Sequence, residues 1–289
     1  MFFIKRRTVD GWRRIECESE DGNARMEIIP ERGAIVTELE LNGKKVLYIN
    51  HETLFDLQKN VRGGIPILFP LCGALEEGQY EWDGNVYSMK QHGFARNRKW
   101  KVGREYAGAE EASVTLELRD DEDTYSQYPF HFALQITYRL KDDGMDIQVW
   151  VRNEDAKSMP FNFGFHPYFY VPDKKAVTIE IPSGDYENVV PESFADGRWN
   201  FEKDEWNVKF QQLSSCECRL TDPSRSATVR LGWDDSFRYL VVWSLKDQPF
   251  ICLEPWTAFS NSFHTKRDLI LLKPGEEKNM KIFIKVDRL

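Results

Sequence analysis

His166 stands in the stretch NFGFHPYFYV, residues Asn162 to Val171, where nearly every neighbour is aromatic or apolar. Pro167 restricts His166 to an extended backbone and ends any central strand at that point. Phe163, Phe165, Tyr168 and Phe169 are expected to surround the ring. An imidazole in such a wall is ordinarily structural, bonded to a backbone partner. Burial also lowers its pKa, so local changes can decide whether it carries a proton near neutrality, as a general acid requires. A carboxylate of the same kind occurs in FICLEPWTAFSNSF, where Glu254 follows Ile251 and Leu253 and precedes Pro255, which is expected to stop the strand. Acids are rarely buried without a reason. Glu254 reads either as an ion-pair partner of a nearby Arg or Lys or as a general base tuned by partial burial.

Two further stretches break the regular pattern. VRGGIPILFPLCG (Val61–Gly73) holds adjacent glycines and two prolines, which demand an irregular backbone, and Arg62 stands just before them among apolar residues. It needs an anionic or hydroxyl partner, in a ligand or in a surface carboxylate. QHGFARNRKW (Gln91–Trp100) offers Gln91, His92 and Arg96 as donors around Phe94.

The elements that must position these groups are strands. Period-two alternation puts Val114, Leu116 and Leu118 on one face, then Phe132, Leu134, Ile136, Tyr138 and Leu140, then Met145, Ile147, Val149 and Val151. AVTIEI, ATVRLGW and NMKIFIKV repeat the pattern, with turns at Asp142-Asp143-Gly144 and Asn42-Gly43. Tyr239–Leu245 is a continuous apolar run, expected for a strand buried on both faces. Helical periodicity is confined to a turn or two in 51–60 and in PESFADG (191–197), and the polar stretch 202–212 reads as a long loop. The expected architecture is an all-β, large antiparallel sandwich in one domain covering 1–289.

Composition narrows the function. The chain has 289 residues, 41% apolar and 13% aromatic, with nine tryptophans and a net charge of −8. The acidic balance argues against nucleic acid. No apolar run reaches the ~18 residues of a membrane helix, and the start MFFIKRRTVDGW does not read as a secretory leader. A cytoplasmic protein with no membrane partner is expected. Five scattered cysteines read as a reduced set, and Cys216-x-Cys218 as alternate residues of one strand rather than a metal site. Flat aromatic rings suit packed sheets, and equally the C–H faces of a sugar.

Taken together, RGGIPILFPLCG, QHGFARNRKW, FGFHPYF and CLEPW, in this order, resemble the aldose 1-epimerase (galactose mutarotase-like) family, nearest the branch holding hexose-6-phosphate mutarotases. The resemblance spans roughly residues 20 to 285. It implies the galactose mutarotase-like supersandwich, a sugar cleft on a concave sheet, no metal and no organic cofactor. It implies Glu254 as catalytic base, His166 as catalytic acid, and His92 as a second histidine near the ring oxygen. Arg62, Gln91, Arg96, Asn207 and Trp256 are the implied substrate-binding set, the arginines contacting phosphate in the phosphosugar branch.

The pattern departs from the family at one place. Where relatives are expected to carry a sugar-binding aspartate in an E-x-D context, DEWNVKFQQL offers Asn207, with Asp204 close by; Asp234 and Asp235 are substitutes only in a different loop arrangement. Asn binds a hydroxyl but lacks the charge. The expected reaction interconverts the α and β anomers of a hexose or hexose 6-phosphate. His166 and Glu254 are expected to face each other across a pocket one hexose wide. The alternatives are a non-catalytic carbohydrate-binding protein on this fold and a glycoside hydrolase or lyase. Hydrolysis needs two carboxylates, and Glu254 is the one convincing candidate. A monomer or weak homodimer is expected.

Overall fold

The computed structural model describes residues 1–183, 185–187, 199, 201 and 203–288. Among them, strands dominate and pair antiparallel in several sheets, with short α-helices at His51–Phe55, Glu122–Gln127 and Ser262–Thr265. An eight-stranded sheet runs in the order Thr178–Glu180, Glu217–Asp222, Ala227–Trp233, Glu277–Arg288, Gly144–Asn153, Phe132–Lys141, Glu111–Arg119, Lys101–Ala107. The alternating residues expected to face inward are buried there: Val114, Leu134 and Ile147 are wholly enclosed. A five-stranded sheet formed by the first 45 residues was not anticipated. Its strands carry charges such as Lys5, Arg6, Arg7, Arg13 and Arg14, which dilute the apolar signal.

The sheet that matters for chemistry runs Asp185–Glu187, Glu205–Gln211, Tyr239–Leu245, Phe250–Trp256, Gly164–Phe165, Ile67–Leu68, with Tyr168–Tyr170 also on the Phe250–Trp256 strand. Successive side chains point to opposite faces, and in this sheet parity sorts them by chemistry. Trp206, Val208, Phe210, Leu240, Val242, Ile251, Leu253, Phe163, Phe165 and Phe169 enter one core shared with the eight-stranded sheet. Residues of the other parity, Glu205, Asn207, Val241, Trp243, Glu254, Trp256, His166 and Tyr168, all line a cavity.

Three local expectations are corrected. Glu205–Gln211, read as loop, is a strand, because Trp206, Val208 and Phe210 anchor it while its polar residues face away from the core. Pro255 does not stop its strand, which pairs on to Trp256; a proline costs one ladder bond without ending the element. The phenylalanines around His166 lie on the core side of the sheet rather than about its ring. The turn expected in 51–60 is present at His51–Phe55, capped by Asn50 Oδ1 accepting from Thr53 N–H at 2.9 Å. PESFADG lies outside the described residues.

The irregular segment after that helix is held from beneath. The buried Arg32 guanidinium donates to the backbone carbonyls of Thr53 (3.1 Å), Leu54 (3.0 Å), Asp56 (2.8 Å) and Lys59 (2.5 Å). Thr53 in turn accepts from Arg62 N–H at 2.9 Å. A Cβ on Gly64, at φ +64°, would strike the Val36 carbonyl oxygen, so the glycine pair does mark a close backbone approach.

Candidate active site

All eight residues singled out in the sequence line one cavity of about 210 Å³: Arg62, Gln91, His92, Arg96, His166, Asn207, Glu254 and Trp256. A larger groove of about 800 Å³, lined by Lys174, Lys175, Trp199 and Phe201 among others, contains neither histidine nor glutamate among its lining residues. Chemistry, rather than volume, selects the smaller cavity. It is below the ~300–1,000 Å³ usual for drug-sized ligands and suits a single small ring.

Register explains the central contact. Gly164 pairs with Trp256 and Tyr168 with Cys252, so residue 166 falls opposite 254, although the ladder is broken at Pro167. His166 Nε2 lies 3.3 Å from Glu254 Oε1. The two groups touch, and do not face each other across a sugar's width as expected from sequence. The His166 backbone N–H donates to Pro66 O at 3.1 Å, and its ring stacks on Tyr168 at 4.7 Å between centroids, with the rings of His92 and Trp243 edge-on at 5.7 Å. Gly164 completes the arrangement, since a Cβ there would come within 2.7 Å of the Trp256 indole.

Electrostatics follow from burial. Both members of the pair are buried. Desolvation raises the Glu254 carboxyl well above the usual glutamate range, opposed by Arg96 and by the Trp256 indole, whose N–H lies nearby without completing a hydrogen bond. Desolvation, with Arg96 and Arg62 adding repulsion, lowers His166 to about 3. Carboxylic acid beside imidazole and carboxylate beside imidazolium hold the same single proton, so the pair titrates as a unit. Glu254 Oε2 and His166 Nδ1 are buried without hydrogen-bond partners. Such orphans cost stability, and they leave an acceptor and a ring nitrogen of the pair without a protein partner.

His92 has a different role. Its Nδ1 accepts from Gly73 N–H at 3.0 Å, which places its own proton on Nε2. Burial, with Arg96, His166 and Arg62 adding repulsion, keeps it well below the ordinary histidine pKa. With Nδ1 so engaged and the ring held neutral, Nε2–H is the group His92 has left to donate. Arg96 donates to Gln91 O at 2.8 Å, leaves Nε unpartnered, and is depressed to about 10 mainly by burial. Arg62 is exposed and lies over the Trp243 ring at 5.1 Å.

The sequence reading missed Tyr168, Trp243 and Glu205 as cavity residues. Glu205 matters most: it is a second carboxylate in the cavity, and its Oε1 accepts from Trp243 Nε1 at 2.6 Å. The signal for it was parity with Asn207, hidden by reading the segment as loop. Asp204, Asp234 and Asp235 do not line this cavity; Asp234 accepts from Ser236 N–H and Lys281 N–H in a turn. As for metals, His166, Cys252 and Glu254 bring ligand-type atoms within 4.8 Å of one another, the sole such group among the described residues. Two arginines beside it oppose a dication, and burial and Glu254 hold the Cys252 thiol well up in pKa, against thiolate formation.

Comparison with known proteins gives the family and the fold. A family profile described as aldose 1-epimerase matches residues 17–285. The LacX protein of Lactococcus lactis is 27% identical over 69% of this chain and 75% of its own length. The crystal structure of the Slr1438 protein from Synechocystis superposes with a TM-score of 0.90 at 31% identity, over 96% of both chains. A galactose mutarotase-like protein from Clostridium acetobutylicum superposes at 0.84 over 100% of this chain and 99% of its own, with 20% identity, a likeness of fold.

Proposed function

The chain belongs to the aldose 1-epimerase family, and on that footing we propose that it interconverts the α and β anomers of a hexose carrying an anionic group, with a hexose 6-phosphate as the substrate class. Mutarotation must remove a proton from the anomeric hydroxyl O1 and add one to the ring oxygen O5 while the C1–O5 bond breaks. Rotation about C1–C2 and the reverse proton traffic close the other anomer. O1 and O5 are bonded to the same carbon, so acid and base must be neighbours. The observation that carries the reading is the 3.3 Å contact between His166 Nε2 and Glu254 Oε1 inside the cavity.

In this mechanism sugar hydroxyls and Arg96 stabilise the Glu254 carboxylate, which leaves the shared proton on His166. Glu254 accepts the O1 proton as His166 gives its proton to O5. The pair then stands as carboxylic acid and neutral imidazole, the state that burial favours. The proton crosses through the substrate rather than directly between the two side chains. Reclosure on the opposite face restores the starting charges. His92 Nε2–H donates to a sugar oxygen throughout. Positioned acid–base groups contribute typically ~10²–10⁴-fold, and orientation of the ring adds to that.

The anionic group rests on Arg62 and Arg96, which line the same cavity and repel each other enough that Arg62 helps depress Arg96. Two guanidinium groups suit a phosphate. A provisionally named glucose-6-phosphate 1-epimerase of Cenchrus ciliaris, 32% identical over 48% of this chain and 41% of its own length, points the same way. Two-dimensional NMR exchange between anomers tests the reading. Wild type should accelerate exchange of glucose 6-phosphate above the spontaneous rate, more than it does glucose or galactose, and Glu254→Gln should not. Equal inertness of both, with sugar still bound, would make this a binding protein. Because Glu205 supplies the second carboxylate absent from the sequence reading, release of reducing sugar from oligosaccharides is the control for hydrolysis.

A further inference from the structure

The position at which this chain carries Asn207 leaves the cavity without an acidic group at that residue, and yet a carboxylate is present two residues earlier. Glu205 and Asn207 share a strand and a parity, so both project from the same face, and both line the cavity. Asn207 pairs in register with Trp243, and the indole N–H of Trp243 donates to Glu205 Oε1 at 2.6 Å. A bond this short to a charged acceptor holds that carboxyl oxygen in place. Glu205 is exposed, and among the described residues no cation pairs with it. Its second oxygen is open to solvent and to whatever occupies the cavity that Glu205 lines. The face of the same Trp243 ring carries the Arg62 guanidinium. One indole therefore holds an anion acceptor at its edge and a cation on its face.

We propose that Glu205 is the sugar-binding carboxylate of this cleft, accepting from a ring hydroxyl of the hexose through Oε2, with Asn207 beside it serving as a neutral donor and acceptor. The inference rests on the sugar-binding part of the function proposed above and not on turnover. Trp243 spaces this carboxylate from Arg62, so the cavity separates a hydroxyl-reading end from an anion-reading one. A second anionic group on the sugar at the Glu205 end would meet a like charge. The cleft thus selects a hexose with a single anionic group and free hydroxyls at the Glu205 end, against a bisphosphate.

The experiment compares wild type, Glu205→Gln and Trp243→Phe with glucose 6-phosphate and its 2-deoxy, 3-deoxy and 4-deoxy analogues. Anomer exchange by NMR gives kcat and KM, and calorimetric titration gives Kd independently of catalysis. Glu205→Gln should raise KM and Kd for glucose 6-phosphate by about tenfold to a hundredfold, the range for a hydrogen bond to a charged group. Its kcat should stay within about threefold of wild type by the same token, as removal of uniform binding predicts. For the deoxy analogue lacking the bonded hydroxyl, the same substitution should change Kd less than about twofold, because that bond is already gone. Trp243→Phe should keep part of this discrimination. Equal losses on all four sugars would show that Glu205 acts only by positioning Trp243, and an unchanged Kd would also overturn the proposal. A wild type that binds glucose 6-phosphate without catalysing exchange would refute the epimerase reading and leave the Kd comparison decisive. If it binds glucose but not its phosphate, the glucose series replaces the phosphate series, and the phosphate reading alone falls.

Discussion

The two faces of the strand Phe250–Trp256 make an instructive pair. Ile251 and Leu253 point into the shared core, fully enclosed by other apolar side chains. Cys252, Glu254 and Trp256 point the other way, and Glu254 is just as deeply enclosed. Burial is thus nearly equal on the two faces, while its consequences are opposite. On the core face it removes apolar surface from water and stabilises the fold. On the cleft face it strands Glu254 Oε2, His166 Nδ1 and Arg96 Nε without partners and forces a carboxyl and an imidazole towards their neutral forms. The fold tolerates that cost on the cleft face, where the proposed chemistry needs it.

The largest effect should come from Glu254→Gln, which is expected to reduce kcat for anomer exchange by about 10²–10⁴-fold. Its stability should move the other way. A carboxyl with a raised native pKa contributes stability that is complete below the unfolded value and fades as pH rises through the native one. Urea unfolding at pH 6 to 9 should therefore find Glu254→Gln gaining on wild type as pH rises. His166 has the opposite sign: its native pKa of about 3 lies below the unfolded value, so its contribution is present above the unfolded value and lost as pH falls. A variant that loses stability at high pH would show that Glu254 is a structural anion.

Next in size, Leu253→Ala, one residue away, should lose about 2–5 kcal/mol in urea unfolding while the folded enzyme keeps a kcat near wild type. A collapse of kcat in fully folded protein would mean that the two faces are not independent. Arg62→Met should raise KM for glucose 6-phosphate about tenfold or more, as expected for a charge-assisted bond, with little change for glucose. Equal effects on both sugars would remove the anion from the substrate assignment. A change of similar size is expected from Gly164→Ala, where a Cβ meets Trp256 and Cys72. Thermal or urea unfolding should show a loss of about 1–3 kcal/mol, accompanied by a lower kcat as Trp256 shifts.

Alternation made the long strands legible: Phe132–Lys141 and Gly144–Asn153 bury the residues that period two selects. The residues that line the cavity were legible as breaks in that pattern, since His166, Glu254 and the glycine–arginine stretch each interrupt an apolar run. Distances between them were not legible. The contact of His166 with Glu254 depends on the register of strands some ninety residues apart in sequence, which no local pattern encodes. Glu205 and Trp243 escaped for opposite reasons. Glu205 sits in a segment whose polar half outweighed its three core anchors. Trp243 sits in a run so uniformly apolar that neither face could be singled out.

Arg32 has a consequence for how the cleft is entered. A guanidinium that holds four main-chain oxygens ties the segment leading to Arg62 down before any sugar arrives. The entropy of ordering that rim is met during folding, not at each binding event. Along this segment the opening is thus built as a fixed doorway rather than a hinged one, and the proposed reaction needs no rearrangement of it for a sugar to enter.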